Sequence, residues 1–149
     1  MKKVSKVLVG GVFDILHYGH IHFLRNARKL GDHLTVILES DKRVKKLKGD
    51  SRPFHNQNQR REILESLSFV DEVIILKDEM TDNDYEDIVR KINPKIIAIT
   101  QGNKTKTHSE TVGATVIEIE KIEGLSTSKI LKMFIKREHT SSCRFCIKK

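Results

Sequence analysis

Five short apolar runs, each separated from the next by a segment of different character, constrain the fold of this chain more than any other feature. They occupy residues 7–9, 34–38, 73–76, 96–99 and 115–119. Between most of them, apolar side chains recur at intervals of three and four residues, and this spacing predicts amphipathic helices near 20–30, 59–67, 85–92 and 126–135. Strands that alternate with helices pair in parallel through right-handed crossovers. The sequence therefore predicts an α/β fold, a doubly wound five-stranded parallel sheet.

Local signals set the expected ends of these elements. Gly31 stands where a left-handed C-cap would end the first helix. Asn93 precedes Pro94 and ends the helix near 85–92, because the residue before a proline avoids helical angles. The acidic and amide side chains of 82–84 supply N-cap chemistry for that helix. The basic stretch 42–48 predicts a short additional helix after the second strand.

Length and composition indicate one folded domain. The chain has 149 residues, of which 38% are hydrophobic, enough to bury a core. No apolar run approaches the roughly 18–20 residues that cross a bilayer, and Lys6 and Asp14 interrupt the opening stretch that would otherwise resemble a signal peptide. We expect a domain over 1–136 and a flexible tail over 137–149, where apolar periodicity stops. Two cysteines make no disulfide scaffold, which predicts a reducing, cytoplasmic setting.

The charge balance points to an anionic partner without identifying it. There are 28 basic and 20 acidic residues, a net charge of +8. A nucleotide, a nucleic acid or an anionic membrane would each satisfy this excess. Aromatic residues make up only 5% of the chain and there is no tryptophan, which argues against a stacking platform for single strands. Since no nucleic-acid or membrane motif accompanies the charge, we expect neither as a partner.

The most informative motif is GGVFDILHYGH, residues 10–20, which follows the first strand and opens the first helix. Glycine lets a backbone approach a phosphate closely, and a helix start presents free N–H groups and a positive dipole end. The imidazoles of His17 and His20 can donate hydrogen bonds to phosphoryl oxygens. Two alternatives are a capping histidine with a surface histidine, and a zinc site, which lacks further ligands at sensible spacing. The motif predicts a phosphate site at the carboxyl ends of the strands.

GGVFDILHYGH resembles the HxGH signature of the cytidylyltransferase-like nucleotidyltransferases. KIEGLSTSKI, residues 121–130, resembles a second segment of that family, and QRREIL at 59–64 followed by VDEV at 70–73 is similar to its helix-to-strand stretch. The resemblance covers roughly residues 4–135 and implies the Rossmann-like fold of HxGH nucleotidyltransferases. Relatives are commonly dimers, which implies a homodimer.

The resemblance also implies roles for individual side chains. His17 and His20 would contact the nucleotide phosphates and stabilise charge on the α-phosphate and the leaving pyrophosphate. Lys46 or Lys48 would reach the triphosphate or the attacking phosphate. Arg60 shares a face with the apolar residues of its helix and should point inward, where it needs an anion; a substrate phosphate and an ordinary salt bridge are the two alternatives. The residues expected to contact the nucleotide are Gly11, Val12, Phe13, His17, Gly19, His20, Asn103, Ser126, Thr127 and Ser128.

The reaction that the resemblance implies needs no covalent intermediate. A phosphate on the acceptor attacks the α-phosphorus of a nucleoside triphosphate, and pyrophosphate leaves. Positioning and electrostatic stabilisation suffice for catalysis. Mg²⁺, or another divalent cation, is expected as the counterion of the triphosphate, with no dedicated metal ligands from the protein.

Departures from the family pattern bear on the substrates. TQGN at 100–103 lacks the Gly-Asp-Asp-Trp signature of the cytidylyltransferases, and Lys121 stands where glycerol-3-phosphate enzymes carry arginine. The cysteines of the tail have parallels among archaeal FAD synthases. These features favour AMP transfer from ATP to FMN, giving FAD. The alternatives are a CTP-dependent enzyme acting on glycerol 3-phosphate or a similar polyol phosphate, and a catalytically silent nucleotide-binding protein.

Cys143 and Cys146 form a single CxxC motif, which is a weak signal. It fits a frayed tail, a metal site completed by His139 or by another subunit, or a redox role.

Overall fold

The parallel sheet predicted from the sequence is confirmed by a computed structural model, which describes residues 4–138. The strands are β1 (Lys6–Gly11), β2 (His33–Leu38), β3 (Glu72–Ile75), β4 (Ile96–Thr100) and β5 (Thr115–Ile119). They form one sheet in the order β3-β2-β1-β4-β5, and every neighbouring pair is parallel. The chain therefore runs outward from β1 to β3, returns to β4 beside β1, and continues outward to β5.

Each predicted helix is present, with its ends shifted by at most three residues. The helices are α1 (Tyr18–Arg28), α2 (Asp41–Lys48), α3 (Gln57–Glu65), α4 (Asp82–Ile92) and α5 (Thr127–Glu138). A short 3₁₀ turn, Ser109–Thr111, precedes β5. Within the described part of the chain, none of these helices combines the length and apolar character that a membrane span needs.

Two helix-end predictions need correction. The predicted C-cap at Gly31 is wrong, because Lys29 caps α1 in the right-handed conformation. Gly31 is instead confined by packing, since a Cβ there would stand 2.4 Å from the carbonyl oxygen of Ser5. The N-cap of α4 is Thr81, one residue before the predicted stretch, and its hydroxyl accepts from the backbone N–H of Asp84. The predicted end of α4 at Asn93 is confirmed.

The sheet is covered by helices on both faces. The larger core cluster joins α1 and α3 to one face, and the smaller cluster joins α4 to the other. Along β1, Val7 and Val9 enter the first cluster and Leu8 enters the second, as the alternation of strand side chains requires. Because both faces are buried there, the central strands β1 and β2 are mostly apolar. The carboxyl ends of the strands stay open, and the chain reverses direction across the sheet between β1 and β4, where such folds bind ligands.

Candidate active site

A cleft of about 410 Å³ opens at the carboxyl ends of β1, β4 and β5. Its walls come from the loop after β1, the start of α1, the loop after β4 and the segment that leads from β5 into α5. All the residues expected from the sequence to contact a nucleotide line this cleft. Their contact with a nucleotide stays a prediction, but the fold brings them to one place.

The loop between β1 and α1 has a constrained backbone. Phe13 and Ile15 adopt positive φ angles of 47° and 51°, a region that residues with a Cβ seldom occupy. Such conformations cluster at functional sites, where the surrounding structure holds them. Gly11 leaves room for this loop, because a Cβ there would lie 2.9 Å from the Phe13 ring. The Phe13 ring in turn packs edge-on against His20, with 5.4 Å between ring centroids.

His17 and His20 form a stacked pair at the first turn of α1, with ring centroids 3.9 Å apart. His17 is the N-cap of the helix: its Nδ1 accepts from the backbone N–H of Gly19 at 3.1 Å, and Nδ1 of His20 accepts from the backbone N–H of His17 at 3.4 Å. Since each Nδ1 is an acceptor, the proton of the neutral ring lies on Nε2. Each histidine therefore keeps one N–H donor for a phosphoryl oxygen. Capping and phosphate binding are compatible here.

Burial keeps both imidazoles neutral. It lowers the pKa of His20 to about 4, with the charges of His17 and Lys48 acting in the same direction and Asp14 opposing them. Burial also lowers the pKa of His17. At neutral pH the pair therefore offers uncharged hydrogen-bond donors in the free protein.

Asp14 is buried beneath the cleft and fixes the loop that follows α2. Its carboxylate accepts from Arg52 Nε at 2.7 Å, from the Phe54 backbone N–H at 2.9 Å and from the His55 backbone N–H at 3.0 Å. Burial alone would raise the pKa of Asp14, but these hydrogen bonds hold it below its ordinary value. Sequence reasoning did not select Asp14 or Arg52, although both line the cleft. The available signal was an aspartate inside an otherwise apolar motif.

The two lysines proposed from the sequence lie in different places. Lys48, the last residue of α2, lines the cleft. Lys46 lies on another side of α2 and lines a separate depression of about 320 Å³ with Arg43 and Tyr85. Positions two apart on a helix do not share a face. Of the two lysines, Lys48 rather than Lys46 is therefore placed to meet a phosphate in this cleft, and a catalytic role for either stays a prediction. Lys121 adds a cation on the β5 side of the cleft.

Arg60 points inward as predicted, but it does not reach the cleft. Its side chain is fully buried, and its guanidinium donates to three backbone carbonyls, those of His55, Val12 and Glu39, at 2.6–3.1 Å. It also pairs with Asp41 Oδ1 at 2.8 Å. The salt bridge that the sequence left as the alternative is present, whereas the predicted substrate contact has no support in the geometry of the cleft. The anion that pairs with Arg60 is therefore the carboxylate of Asp41 and not a substrate phosphate.

Of the three hydroxyl groups at the start of α5, two make hydrogen bonds within the protein and one remains available in the cleft. Ser126 Oγ accepts from the backbone N–H of Lys129 at 3.2 Å and caps the helix. Thr127 Oγ1 donates to the backbone carbonyl of Asp14 at 2.8 Å, which ties α5 to the β1–α1 loop. The exposed hydroxyl of Ser128 and the free N–H groups of the first turn remain available to an anion.

The loop after β4 supplies polar groups to the opposite wall. Thr100, Gln101 and Asn103 line the cleft there. Asn103 Oδ1 accepts from the backbone N–H of Thr105 at 2.9 Å and from its hydroxyl at 2.6 Å. The side-chain carbonyl is thus occupied, which leaves the amide N–H₂ of Asn103 as its free donor.

Within residues 4–138, no three His, Cys, Asp or Glu side chains come together as a metal site. Cys143, Cys146 and His139, on which a tail metal site was hypothesised, lie outside the described residues. The domain boundary near residue 136, the homodimer and the cytoplasmic location stay predictions.

Comparison with known proteins agrees with this geometry. The family model described as cytidylyltransferase-like matches residues 8–144. The FAD synthase of Thermococcus sibiricus is 41% identical over 144 residues, covering 90% of this chain and 95% of that protein. The bifunctional protein HldE of Campylobacter concisus is 41% identical over 134 residues, which is 87% of this chain and 27% of that longer protein.

A solved structure is also similar, the lipopolysaccharide core biosynthesis protein from Thermoplasma volcanium. It superimposes with a TM-score of 0.64 at 30% identity, covering 80% of this chain and 98% of that one. The family match includes the HxGH turn, the loop that carries Arg52 and the start of α5. The chain belongs to the cytidylyltransferase-like family of nucleotidyltransferases.

Proposed function

We propose that this chain is an FMN adenylyltransferase, which transfers AMP from ATP to FMN, forms FAD and releases pyrophosphate. The observation that carries the proposal is one cleft that is lined both by His17 and His20, each with a free Nε2 donor, and by the first turn of α5. The identity of 41% to an FAD synthase, over 90% of this chain, supports the choice of substrates.

The reaction follows from these donors. A phosphate oxygen of FMN attacks the α-phosphorus of ATP and forms a new P–O bond, while the bond between the α-phosphorus and the α,β-bridging oxygen breaks. The electron pair of that bond leaves with pyrophosphate. His17 and His20 donate to the oxygens on which negative charge builds, and no residue becomes covalently modified. Fixed donors in a partly buried site stabilise this charge without reorganising.

The remaining cleft residues position the nucleotide in this proposal. The backbone of 11–13 lies against the ribose and α-phosphate, since Gly11 permits close approach. The β- and γ-phosphates meet the first turn of α5 at Ser128, together with Lys121. The adenine lies against the loop after β4, where the amide of Asn103 donates to a ring nitrogen.

We propose that Mg²⁺ enters this site with the triphosphate. Among residues 4–138, two carboxylates line the cleft: Asp14, which accepts from three donors, and Glu120. That donor set suits a cation held by phosphate oxygens and water rather than by a protein cage. The bound cation would neutralise charge on the triphosphate.

A second candidate is nucleotidyl transfer to a phosphorylated sugar. The similarity to a lipopolysaccharide core biosynthesis protein favours it, because the lipopolysaccharide core is built from sugars. The same donors would serve, since both acceptors attack through a phosphate. The CTP-dependent reaction with glycerol 3-phosphate differs from the proposed reaction in two respects, the acceptor and the nucleotide.

The test is an acceptor and nucleotide screen with the purified protein and Mg²⁺. FMN is incubated with ATP or CTP, the flavins are separated by chromatography, and pyrophosphate release is measured in parallel with glycerol 3-phosphate and with sugar 1-phosphates. We expect FAD from ATP. Pyrophosphate release only with CTP and glycerol 3-phosphate, or only with a sugar phosphate, would overturn the FMN assignment. Tight nucleotide binding without turnover of any acceptor would identify a silent binding protein.

His20→Ala is the catalytic control for this screen. We expect turnover to fall about 10²–10³-fold, as removal of a transition-state donor does. His22→Ala is the matched variant, since His22 lies in the same helix, bonds to Asn26 and does not line the cleft. It should keep wild-type turnover. Wild-type activity in His20→Ala would remove His20 from the mechanism.

A further inference from the structure

Arg52 is a buried cation with its outer nitrogens open to the cleft. Its side chain is only 8% exposed, and its Nε donates to Asp14 at 2.7 Å. Within residues 4–138, Nη1 and Nη2 of Arg52 have no hydrogen-bond partner. They are also not fully buried, because the fully buried side-chain atoms without a partner in that part of the chain are Nδ1 of His55 and Nδ1 of His108. Arg52 lines the cleft, so these accessible outer nitrogens are the donors that it can offer to a ligand there.

The contrast with Arg60 shows how this arginine differs from a structural one. Arg60 donates to four protein acceptors and needs nothing further. Arg52 has one acceptor and is held there by a carboxylate that two backbone N–H groups also fix. Because the remaining donors of Arg52 are accessible and have no partner within residues 4–138, they are free to pair with an anion that enters the cleft. The planar fork of a guanidinium matches two phosphate oxygens at once.

The position of Arg52 in the fold indicates which phosphate that is. Arg52 and Lys48 both come from the connection between β2 and β3, on the β2 side of β1. The residues assigned to the base and to the β- and γ-phosphates come from the β4 and β5 side. Direct displacement at the α-phosphorus requires the attacking oxygen opposite the departing pyrophosphate. The attacking group therefore approaches on the side of Arg52.

We propose that Arg52, held in place by Asp14, binds the phosphate of the acceptor and positions it for attack on the α-phosphorus. This inference rests on the proposed nucleotidyl transfer. A phosphate dianion and a triphosphate repel each other, and a fixed guanidinium bound to the acceptor phosphate offsets that repulsion. The backbone carbonyl of Asp14 also accepts a hydrogen bond from the Thr127 hydroxyl. Asp14 therefore sets the spacing between Arg52 and the start of α5.

The test separates acceptor binding from nucleotide binding. For Arg52→Gln and Arg52→Lys, the KM for FMN is measured at saturating ATP, and the Kd for ATP is measured by calorimetry without acceptor. We expect Arg52→Gln to raise the KM for FMN at least about tenfold, the loss expected for a hydrogen bond to a charged group. The Kd for ATP should stay within about twofold, and Arg52→Lys should restore part of the loss. Arg61→Gln, an exposed arginine of α3, is the matched control and should change neither constant.

The other outcomes overturn the assignment. An increased Kd for ATP with an unchanged KM for FMN would place Arg52 on the nucleotide, and no change in either would leave it a structural residue. Thermal unfolding shows whether Arg52→Gln is folded; if it is not, Arg52→Lys carries the comparison. If the wild type forms no FAD, the proposed function fails separately. Arg52 is then tested by calorimetry of inorganic phosphate binding to the ATP-loaded protein, where equal binding by wild type and Arg52→Lys and Arg52→Gln would refute it.

Discussion

Two buried arginines, Arg52 and Arg60, show that burial alone does not identify a side chain that binds a ligand. Both are less than a tenth exposed. What separates them is the number of protein acceptors within reach: all three nitrogens of the Arg60 guanidinium donate to carbonyls or to Asp41, whereas within residues 4–138 only Nε of Arg52 has a partner. The partners of a buried guanidinium, rather than its location, decide its role.

Arg60→Leu should destabilise the fold. Leucine would leave the carbonyls of Val12, Glu39 and His55 without their donor and Asp41 without its cation. Removing one partner of a buried pair costs about 3–5 kcal/mol, and we expect about 3 kcal/mol, because the Asp41 side chain is 39% exposed and can rehydrate. Urea unfolding measures this free energy. Arg61→Leu, at an exposed position, should stay within about 0.5 kcal/mol of wild type. An unchanged stability for Arg60→Leu with weakened ATP binding would instead restore its predicted substrate contact.

At the scale of an element, the start of α1 combines a helix cap with a catalytic donor. His17 accepts the Gly19 N–H as an N-cap, while its Nε2 faces phosphate chemistry in the proposed mechanism. His17→Ser separates the two roles, because serine is a preferred N-cap. We expect the melting temperature to stay equal or rise, and turnover to fall about 10²–10³-fold. His17→Ala should lose about 1 kcal/mol in addition. If His17→Ser keeps full turnover, the histidine serves only as a cap.

The elements could be predicted because their signals are local. Apolar periodicity gave the strands and helices, and parallel strands bring their carboxyl ends to one edge, so the motif after β1 and the start of α5 were placed in one site. The choice between Lys46 and Lys48 was also accessible: Val44 is fully buried and Lys48 lies four residues on, toward the same face of α2. Lys46 lies away from that face.

The missed parts depend on contacts between distant segments. Asp14 and Arg52 are 38 positions apart, and Arg52 lies in a loop without periodicity. The carbonyls that surround Arg60 come from three separate segments, which the fold alone brings together. The direction of Arg60 followed from its helix, but its partners did not. A side chain's face can be predicted from spacing, whereas its partner requires the tertiary structure.

At the scale of the whole molecule, the half-buried pair of His17 and His20 makes the fold sensitive to acid. The pKa of His20 is about 4 in the folded protein, against an ordinary value of 6.5. Between these values the unfolded chain binds a proton that the folded protein does not, so stability rises with pH through this window and falls as the pH drops. Burial of His17 acts with the same sign. Burial raises the pKa of Glu39 above its ordinary value of 4.5. Above that value the folded protein holds more of this proton than the unfolded chain, so Glu39 lowers the stability as the pH rises.

A comparison with His20→Gln isolates the contribution of His20, because the other titrating groups are common to both proteins. Urea unfolding is followed from pH 8 to about pH 4, and the difference in unfolding free energy between wild type and His20→Gln is plotted against pH. Above about pH 7 the unfolded histidine is neutral, so the difference should be constant. Below 6.5 the wild type should lose stability relative to the variant, progressively down to about pH 4. Parallel curves across the whole range would show that His20 titrates in the fold as it does in the unfolded chain. The imidazole pair would then carry charge in the free protein at mildly acidic pH, and the neutral-donor description of the cleft would have to be abandoned.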